Sequence, residues 1–294
     1  MNHLLRRYGA SLTVTLVVLT AFWLLVLVIL PYLYLFENSF RPYLPIGEVG
    51  GPKDVYSLDN YLIFFKSPIH IQVFIWTILY SSIVTVLCFV MAYPLAYYLA
   101  KVASSKAVPT IFMLLLIPLW VSEILRSFAW FIILSLKGPL NIFLTEVGII
   151  ETPIRWISGF RSIIIGLVYT YVLFMLFPIY NSIQSLDTNQ IEAAEDLGSP
   201  WWRTHWRVVL PHSKPGIASG SVMVFMLSAG SILVPTLLAS TNSRWFTEII
   251  QQWMFESQDW NTGSAYAFLL LLLCTFFVSA VMRIFRVSLS DIAK

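Results

Sequence analysis

Charged residues and cysteines are both scarce in this sequence of 294 residues. The first scarcity argues against a soluble protein, and the second against a protein held together by disulfides. Asp, Glu, Lys and Arg make up 11% of the residues and hydrophobic residues 58%, whereas roughly 25% of an ordinary soluble domain is charged. This composition indicates a membrane protein. The two cysteines, Cys88 and Cys274, lie far apart in apolar runs, which favours small packing residues over a disulfide or a metal pair.

Motifs for nucleotide, metal and nucleic-acid chemistry are also missing from the sequence. No segment has the pattern G-x-x-x-x-G-K-[ST], so the chain offers no phosphate-binding loop for ATP hydrolysis. The four histidines form no H-E-x-x-H pair or comparable cluster, and no metal site is predicted. A net charge of +3 gives no basic face for nucleic acid.

The sequence contains several long runs of apolar residues. Because a bilayer crossing needs about 20 apolar residues in a helix, the runs predict an all-α integral membrane protein, a single domain over residues 1–294. The first run is too long for a cleaved signal peptide and lacks an A-x-A-like site, so it is interpreted as an anchored helix. Six spans are predicted, at residues 11–36, 69–100, 108–135, 162–185, 215–240 and 261–284.

The distribution of Lys and Arg predicts the orientation of these spans. With both termini in the cytoplasm, the inner face carries basic residues close to helix ends, where the positive-inside rule counts most. These are Arg6, Arg7, Lys101, Lys106, Arg203, Arg207, Lys214, Arg283, Arg286 and Lys294. The outer surface is then net acidic, and the polar segment 187–214 lies in the cytoplasm.

Segment 187–214 reads as two short helices rather than a loose linker. Asp187 is a helix N-cap residue by type, Gly198 supplies a helix terminator, Ser199 and Pro200 restart the chain, and Pro211 closes the second helix. Two interpretations remain open on physical grounds. The segment is either a solvated loop with a membrane-hugging helix that carries Trp202 and Trp206, or a docking site for a partner.

The same segment resembles the signature loop of the inner-membrane subunits of ATP-binding-cassette (ABC) importers. The shared pattern is E-A-A, three residues, G, nine residues, an aliphatic residue, any residue, and L-P; here it comprises Glu192, Ala193, Ala194, Gly198, Val208, Leu210 and Pro211. Further stretches resemble the permeases of spermidine/putrescine importers, at residues 117–130, 137–141, 166–183, 229–240 and 259–268.

The resemblance implies a type I ABC importer permease fold in the bacterial cytoplasmic (inner) membrane, with 187–214 as the cytoplasmic coupling loop. It implies that Glu192, Ala193, Ala194 and Gly198 contact an ATPase, and that Leu210 and Pro211 shape the return into the fifth span. The expected partners are an ABC ATPase dimer, a second homologous permease, an extracytoplasmic solute-binding protein and the lipid bilayer. The chain itself needs no cofactor and catalyses no reaction, because ATP and Mg²⁺ would bind the ATPase subunits.

Glu123 is the one acidic residue within a predicted span, and charge there is costly. One interpretation is a self-neutralising pair with Arg126, three residues further along the helix. The other is that Glu123 lines the transport pathway and attracts a cation, with Trp120, Ser127 and Trp130 on the same face. Aromatic stripes in membrane helices are more often packing residues.

Three functions remain open beside polyamine import. They are an ABC permease for another small solute, a secondary transporter driven by an ion gradient, and a membrane sensor or scaffold whose polar segment docks a signalling partner. The sequence shows no convincing similarity between its halves, which a secondary transporter usually has.

Overall fold

The computed structural model describes residues 9–48, 50–240 and 243–287, and all regular structure in these ranges is helical. The helices before the polar segment are α1 (Ala10–Leu24, a π-helical turn Leu25–Ile29, then Leu30–Ser39), α2 (Asp59–Lys66), α3 (Pro68–Tyr97 with the π-turn Tyr98–Val102), α4 (Ala107–Trp120), α5 (Glu123–Leu134), α6 (Pro139–Glu146) and α7 (Phe160–Gln184). A 3₁₀ turn, Ile46–Glu48, precedes α2.

The remaining helices are α8 (Thr188–Asp196), α9 (Trp201–Thr204, the π-turn His205–Val209, then Leu210–His212), α10 (Lys214–Ala229), α11 (Leu233–Leu238), α12 (Phe246–Gln251 with the π-turn Gln252–Glu256) and α13 (Trp260–Phe285). The chain divides into two compact units, residues 1–68 with 250–269 and residues 69–249 with 270–294. The predicted single domain over 1–294 stays a prediction, and the predicted cytoplasmic termini lie outside the described residues.

Five helical stretches within the described ranges are long and apolar enough to cross a membrane. They are Leu12–Ser39, Pro68–Val102, Glu123–Glu146, Phe160–Gln184 and Trp260–Phe285. Four of them correspond to the predicted spans 11–36, 69–100, 162–185 and 261–284, and Glu123–Glu146 overlaps only the second part of the predicted span 108–135. The other two predicted spans differ from the structure, because each is interrupted.

The predicted span 108–135 is two helices, and so is the predicted span 215–240. After α4 the backbone becomes extended at Val121 and Ser122, and α5 begins at Glu123. After α10 the helix stops at Ala229, and α11 begins at Leu233 beyond Gly230. The two segments that follow these breaks, α5 and α11, pack against each other. Residue type alone does not locate such breaks: Ser122, Glu123 and Gly230 lie at them, but the unbroken helix α7 also contains a glycine and a proline, Gly166 and Pro178.

The first unit holds its long loop in place through polar contacts. The buried Asn60 side-chain amide donates to the carbonyls of Ser39 and Arg41, at 2.9 and 2.8 Å. The Arg41 guanidinium lies 2.6 Å from a Glu37 carboxylate oxygen and 2.8 Å from one of Asp54. These pairs tie the end of α1 to the loop that follows it.

The core of the second unit lies along α7, against which α10 packs over most of its length. Small residues make this approach possible. A Cβ on Gly216 would lie 2.4 Å from the Pro178 carbonyl oxygen, and one on Gly220 would lie 2.8 Å from the Met175 sulfur. Membrane helices associate through such small residues, because burial from water contributes no driving force between them.

Asn141 organises the connection between α5 and α7. Its buried amide donates to the carbonyls of Ser135, Leu136 and Ile154, and its oxygen accepts from the Ile154 N–H and the Trp156 indole. One side chain thereby satisfies the backbone of a loop that no regular structure pairs. This contact gives a structural reason for the asparagine in the stretch 137–141.

Candidate functional site

The polar segment 187–214 forms a folded elbow, and capping residues set the two ends of its first helix. The Asp187 carboxylate accepts the N–H of Asn189 at 3.0 Å and caps α8. At the other end Gly198 has a φ of 75°. The N–H of Gly198 donates to the Glu195 carbonyl and that of Ser199 to the Ala194 carbonyl, the Schellman arrangement. The predicted cap and the predicted glycine terminator are thus observed.

The second helix of the elbow begins and ends later than predicted. Pro200 is its N-cap and Trp201 its first residue, rather than Ser199 and Pro200. Pro211 does not close it. Pro211 lies in the short helix Leu210–His212, after a π-helical turn, and Ser213 separates that helix from α10.

One side of α8 is anchored and the other is free. The Ile191 side chain is 6% exposed and belongs to the same hydrophobic core as Ile183 and Val209. Glu192, Ala193 and Gly198 are exposed, Ala194 is half-buried, and Leu197 is 88% exposed. The structure therefore brings Glu192, Ala193, Ala194 and Gly198 together on α8 and its terminator, with a large apolar side chain open to a partner beside them.

Leu210 and Pro211 lie at the other end of the elbow. Leu210 is half-buried and Pro211 exposed, and both line a groove with α3, α10 and α13. Both residues lie just before α10, and their part in shaping the return into the membrane stays a prediction.

Three sets of contacts connect the elbow to the helices around it. The Tyr93 hydroxyl on α3 lies 2.7 Å from Nδ1 of His205. The Lys101 ammonium donates to the carbonyl of Leu186, just before the elbow. The Ser185 hydroxyl lies 3.1 Å from Nε2 of His212, between the end of α7 and the start of α10. These contacts join the elbow and the residue before it to α3 and to the end of α7.

His205 is the centre of the contact with α3, and no motif in the sequence singles it out. Its ring lies 4.4 Å from that of Tyr97 and 5.7 Å from that of Trp201. Burial lowers the pKa of His205, so the ring is neutral at pH 7. The pairing with Tyr93 spans 112 positions of sequence, and a search for metal-type histidine spacing cannot find such a contact.

Glu123 is the first residue of α5, at the break within the predicted third span. A carboxylate in the first turn of a helix is stabilised by the helix dipole. Its Oε1 accepts a hydrogen bond from the Tyr171 hydroxyl on α7, at 3.1 Å. The ion pairs of the described residues involve only Glu37, Arg41, Glu48, Lys53 and Asp54. In that part of the chain, Glu123 and Arg126 do not form the predicted self-neutralising pair.

The other three pathway candidates are in different surroundings. Trp120 ends α4 on the far side of the break and is 79% exposed. The Ser127 side chain is buried, and its hydroxyl donates to the Glu123 carbonyl within α5. Trp130 packs edge-on against Tyr169 of α7. Glu123 and Trp120 thus flank the break, whereas Ser127 and Trp130 are used in helix packing.

The long apolar helices of the described residues, with two of the predicted spans interrupted, define a polytopic membrane protein. Residues 90–290 match the family described as binding-protein-dependent transport system inner membrane component, and the chain belongs to this family. It is therefore a multi-pass inner-membrane protein. Family membership sets aside the gradient-driven transporter and the sensor.

Two curated relatives and one solved structure specify the similarity further. The chain is 35% identical over 243 residues to the spermidine/putrescine transport system permease protein PotB of Escherichia coli (strain K12), covering 83% of this chain and 86% of that one. It is 31% identical over 262 residues to PotB of Haemophilus influenzae, covering 89% and 90%. A bacterial alginate ABC transporter chain, solved with a periplasmic protein, has a TM-score of 0.76 at 18% identity and covers 95% of this chain and 96% of that one. This last likeness confirms the type I ABC importer permease fold.

Proposed function

We propose that this chain is the transmembrane permease subunit of an ATP-driven importer that carries polyamines, such as spermidine and putrescine, into the cytoplasm. The observation that carries the substrate class is the 35% identity with a spermidine/putrescine permease over 83% of the chain. The partners in this proposal are an ATPase dimer, a second homologous permease and an extracytoplasmic solute-binding protein. ATP and Mg²⁺ bind the ATPase subunits.

Coupling in this proposal begins at the exposed side of α8. An ATPase subunit receives Leu197 and the small residues Ala193 and Ala194 in a groove, with Glu192 at its rim. Ile191 on the opposite side anchors α8 to the membrane core. Closure of the two ATPases moves the elbow, and the contacts of His205, His212 and Lys101 pass that movement to α3, α7 and α10. The elbow and both termini then lie in the cytoplasm.

Transport in this proposal passes the break between α4 and α5. The Glu123 carboxylate supplies negative charge for an ammonium group, and the exposed Trp120 ring supplies a π-face and an apolar surface for methylenes. Ser127 and Trp130 support the start of α5 from behind, through the hydrogen bond and ring contact described above. The pathway itself lies between the two permeases.

The test is transport by the reconstituted complex. The chain is purified with its ATPase, its second permease and its binding protein and placed in vesicles with ATP inside. Radiolabelled spermidine or putrescine is expected to accumulate only with ATP and the binding protein, and vanadate is expected to stop it. ATP-dependent uptake of a different solute, with no polyamine bound to the purified binding protein, would contradict the substrate. Accumulation driven by an ion gradient without ATP would contradict the mechanism.

A further inference from the structure

A groove of about 590 Å³ opens beside the elbow, wholly within the second unit. Its walls come from α3, from the junction of α9 and α10, and from α13. Most of the side chains that line it are apolar, among them Val86, Phe89, Leu210, Ile217, Phe277 and Val281. Its volume falls within the roughly 300–1,000 Å³ of cavities that hold small ligands.

The interior of the groove is lined by residues of two helical stretches that are apolar enough to cross a membrane. Val86 and Phe89 belong to the apolar stretch Pro68–Val102, and Phe277 and Val281 to the apolar stretch Trp260–Phe285. The small polar residues on the α3 wall present no free donor, because the hydroxyls of Ser82 and Thr85 each donate to a carbonyl of their own helix at 2.8 Å. The groove therefore suits a hydrocarbon chain rather than a polar solute.

The end of the groove beside the elbow has a different character. Lys214 and Trp206 both line it there. The exposed Lys214 takes part in none of the ion pairs found in residues 9–48, 50–240 and 243–287. It is also the first residue of α10, where the helix dipole disfavours a cation. An anion beside Lys214 would relieve that repulsion, and tryptophan is the residue that prefers the headgroup level of a membrane.

We infer that this groove binds one acyl chain of an anionic phospholipid from the leaflet on the elbow side, with the lipid phosphate beside Lys214. The apolar walls of the groove are complementary to the acyl chain of such a lipid, and Lys214 at its end is complementary to the phosphate. Trp206, Leu210 and Pro211 belong to the elbow, so the bound lipid contacts the element that carries the coupling. This site is separate from the proposed substrate route and does not depend on the identity of the substrate.

Lipid retained by the purified complex tests the headgroup contact. The complex is washed in detergent, and its remaining phospholipids are counted by mass spectrometry. Lys214→Gln is expected to lower retained anionic phospholipid about fivefold while leaving neutral phospholipid unchanged. Lys106→Gln, an exposed lysine outside the groove, is the matched control. Equal retention of anionic lipid by the wild-type and Lys214→Gln complexes would overturn the inference.

A second experiment identifies the occupant of the apolar part. Val86→Trp fills the groove and is expected to lower total retained lipid, whereas Val90→Trp, one turn further along α3, is not. A photocrosslinking side chain in place of Val86 is expected to form a phospholipid adduct. An adduct with a helix of the second permease would show that protein fills the groove, and would overturn the lipid assignment.

Discussion

The hydroxyl of Tyr93 on α3 lies 2.7 Å from Nδ1 of His205 in the elbow, and this contact joins a membrane helix to the segment that faces the ATPase in the proposed complex. Its loss leaves a partly buried ring nitrogen without its partner, which costs roughly 1–3 kcal/mol. We expect Tyr93→Phe to lower ATP-driven uptake several-fold in vesicles while ATP hydrolysis continues. Tyr98→Phe, an exposed tyrosine of the same helix, is the control. If Tyr93→Phe takes up as much substrate per ATP hydrolysed as Tyr98→Phe, the contact does not take part in coupling.

The same histidine predicts a dependence of stability on pH. Burial lowers the pKa of His205 from its ordinary value of about 6.5. The unfolded chain therefore binds the proton more readily than the folded chain. The contribution of the neutral ring to stability is complete above about pH 6.5 and is lost as the pH falls through the lowered pKa. Tyr93 and Tyr97 face the ring from α3, and Trp201 from the elbow itself.

We therefore expect the Tm of the wild-type protein in detergent to fall more steeply between about pH 7 and pH 5.5 than that of His205→Gln. A wild-type slope that His205→Gln does not reduce would show that other groups govern the acid response.

Gly198 ends α8 with a positive φ that a residue with a side chain adopts only at a cost of roughly 1–2 kcal/mol. We expect Gly198→Val to shift Leu197 and its neighbours, and to lower recovery of the ATPase with the purified permease. Gly148→Val introduces the same kind of strain, since Gly148 has a φ of 76° and equally open surroundings, but outside the elbow. A parallel loss in both variants would indicate a general folding defect rather than a docking defect.

Glu123 provides the prediction for the substrate route. Glu123→Gln keeps the size of the side chain and an acceptor for the Tyr171 hydroxyl while it removes the charge. We expect uptake of a polyamine to fall, chiefly through a higher KM, with assembly and ATPase docking unchanged. Glu146→Gln, an exposed acid at the end of α6, is the matched control. Transport kinetics that are unchanged in Glu123→Gln would remove this residue from the pathway.

The close approach of α10 to α7 at Gly216 predicts that a side chain at this position destabilises the protein. In Gly216→Ala the new Cβ would lie 2.4 Å from the Pro178 carbonyl oxygen and 2.6 Å from the Ser182 Cβ, so one helix must move. Such overpacking typically costs about 1–3 kcal/mol, and we expect a lower Tm and a lower yield of complex. Gly47→Ala, where the added atom meets open space, should behave as wild type. Wild-type stability in Gly216→Ala would mean that α10 adjusts freely.

Properties that depend on neighbouring residues could be predicted from the sequence. Long apolar runs, the Asp187 cap and the Gly198 terminator each act within a few residues, so helical spans and an elbow with a defined end followed from the chain alone. The family was indicated by seven spaced positions that all lie within the elbow: Glu192, Ala193, Ala194, Gly198, Val208, Leu210 and Pro211.

Only the tertiary structure decided where the long helices break and what meets across them. Ser122, Glu123 and Gly230 lie at the interruptions, but the unbroken helix α7 contains Gly166 and Pro178, so residue type alone does not mark where a helix breaks. The hydrogen bond from Tyr171 to Glu123 joins helices that are distant in sequence, as does the contact between Tyr93 and His205. Such contacts arise from helix packing, which depends on the shapes of many side chains at once. For that reason the candidate coupling surface was predictable from local sequence, whereas the links that would transmit its movement were not.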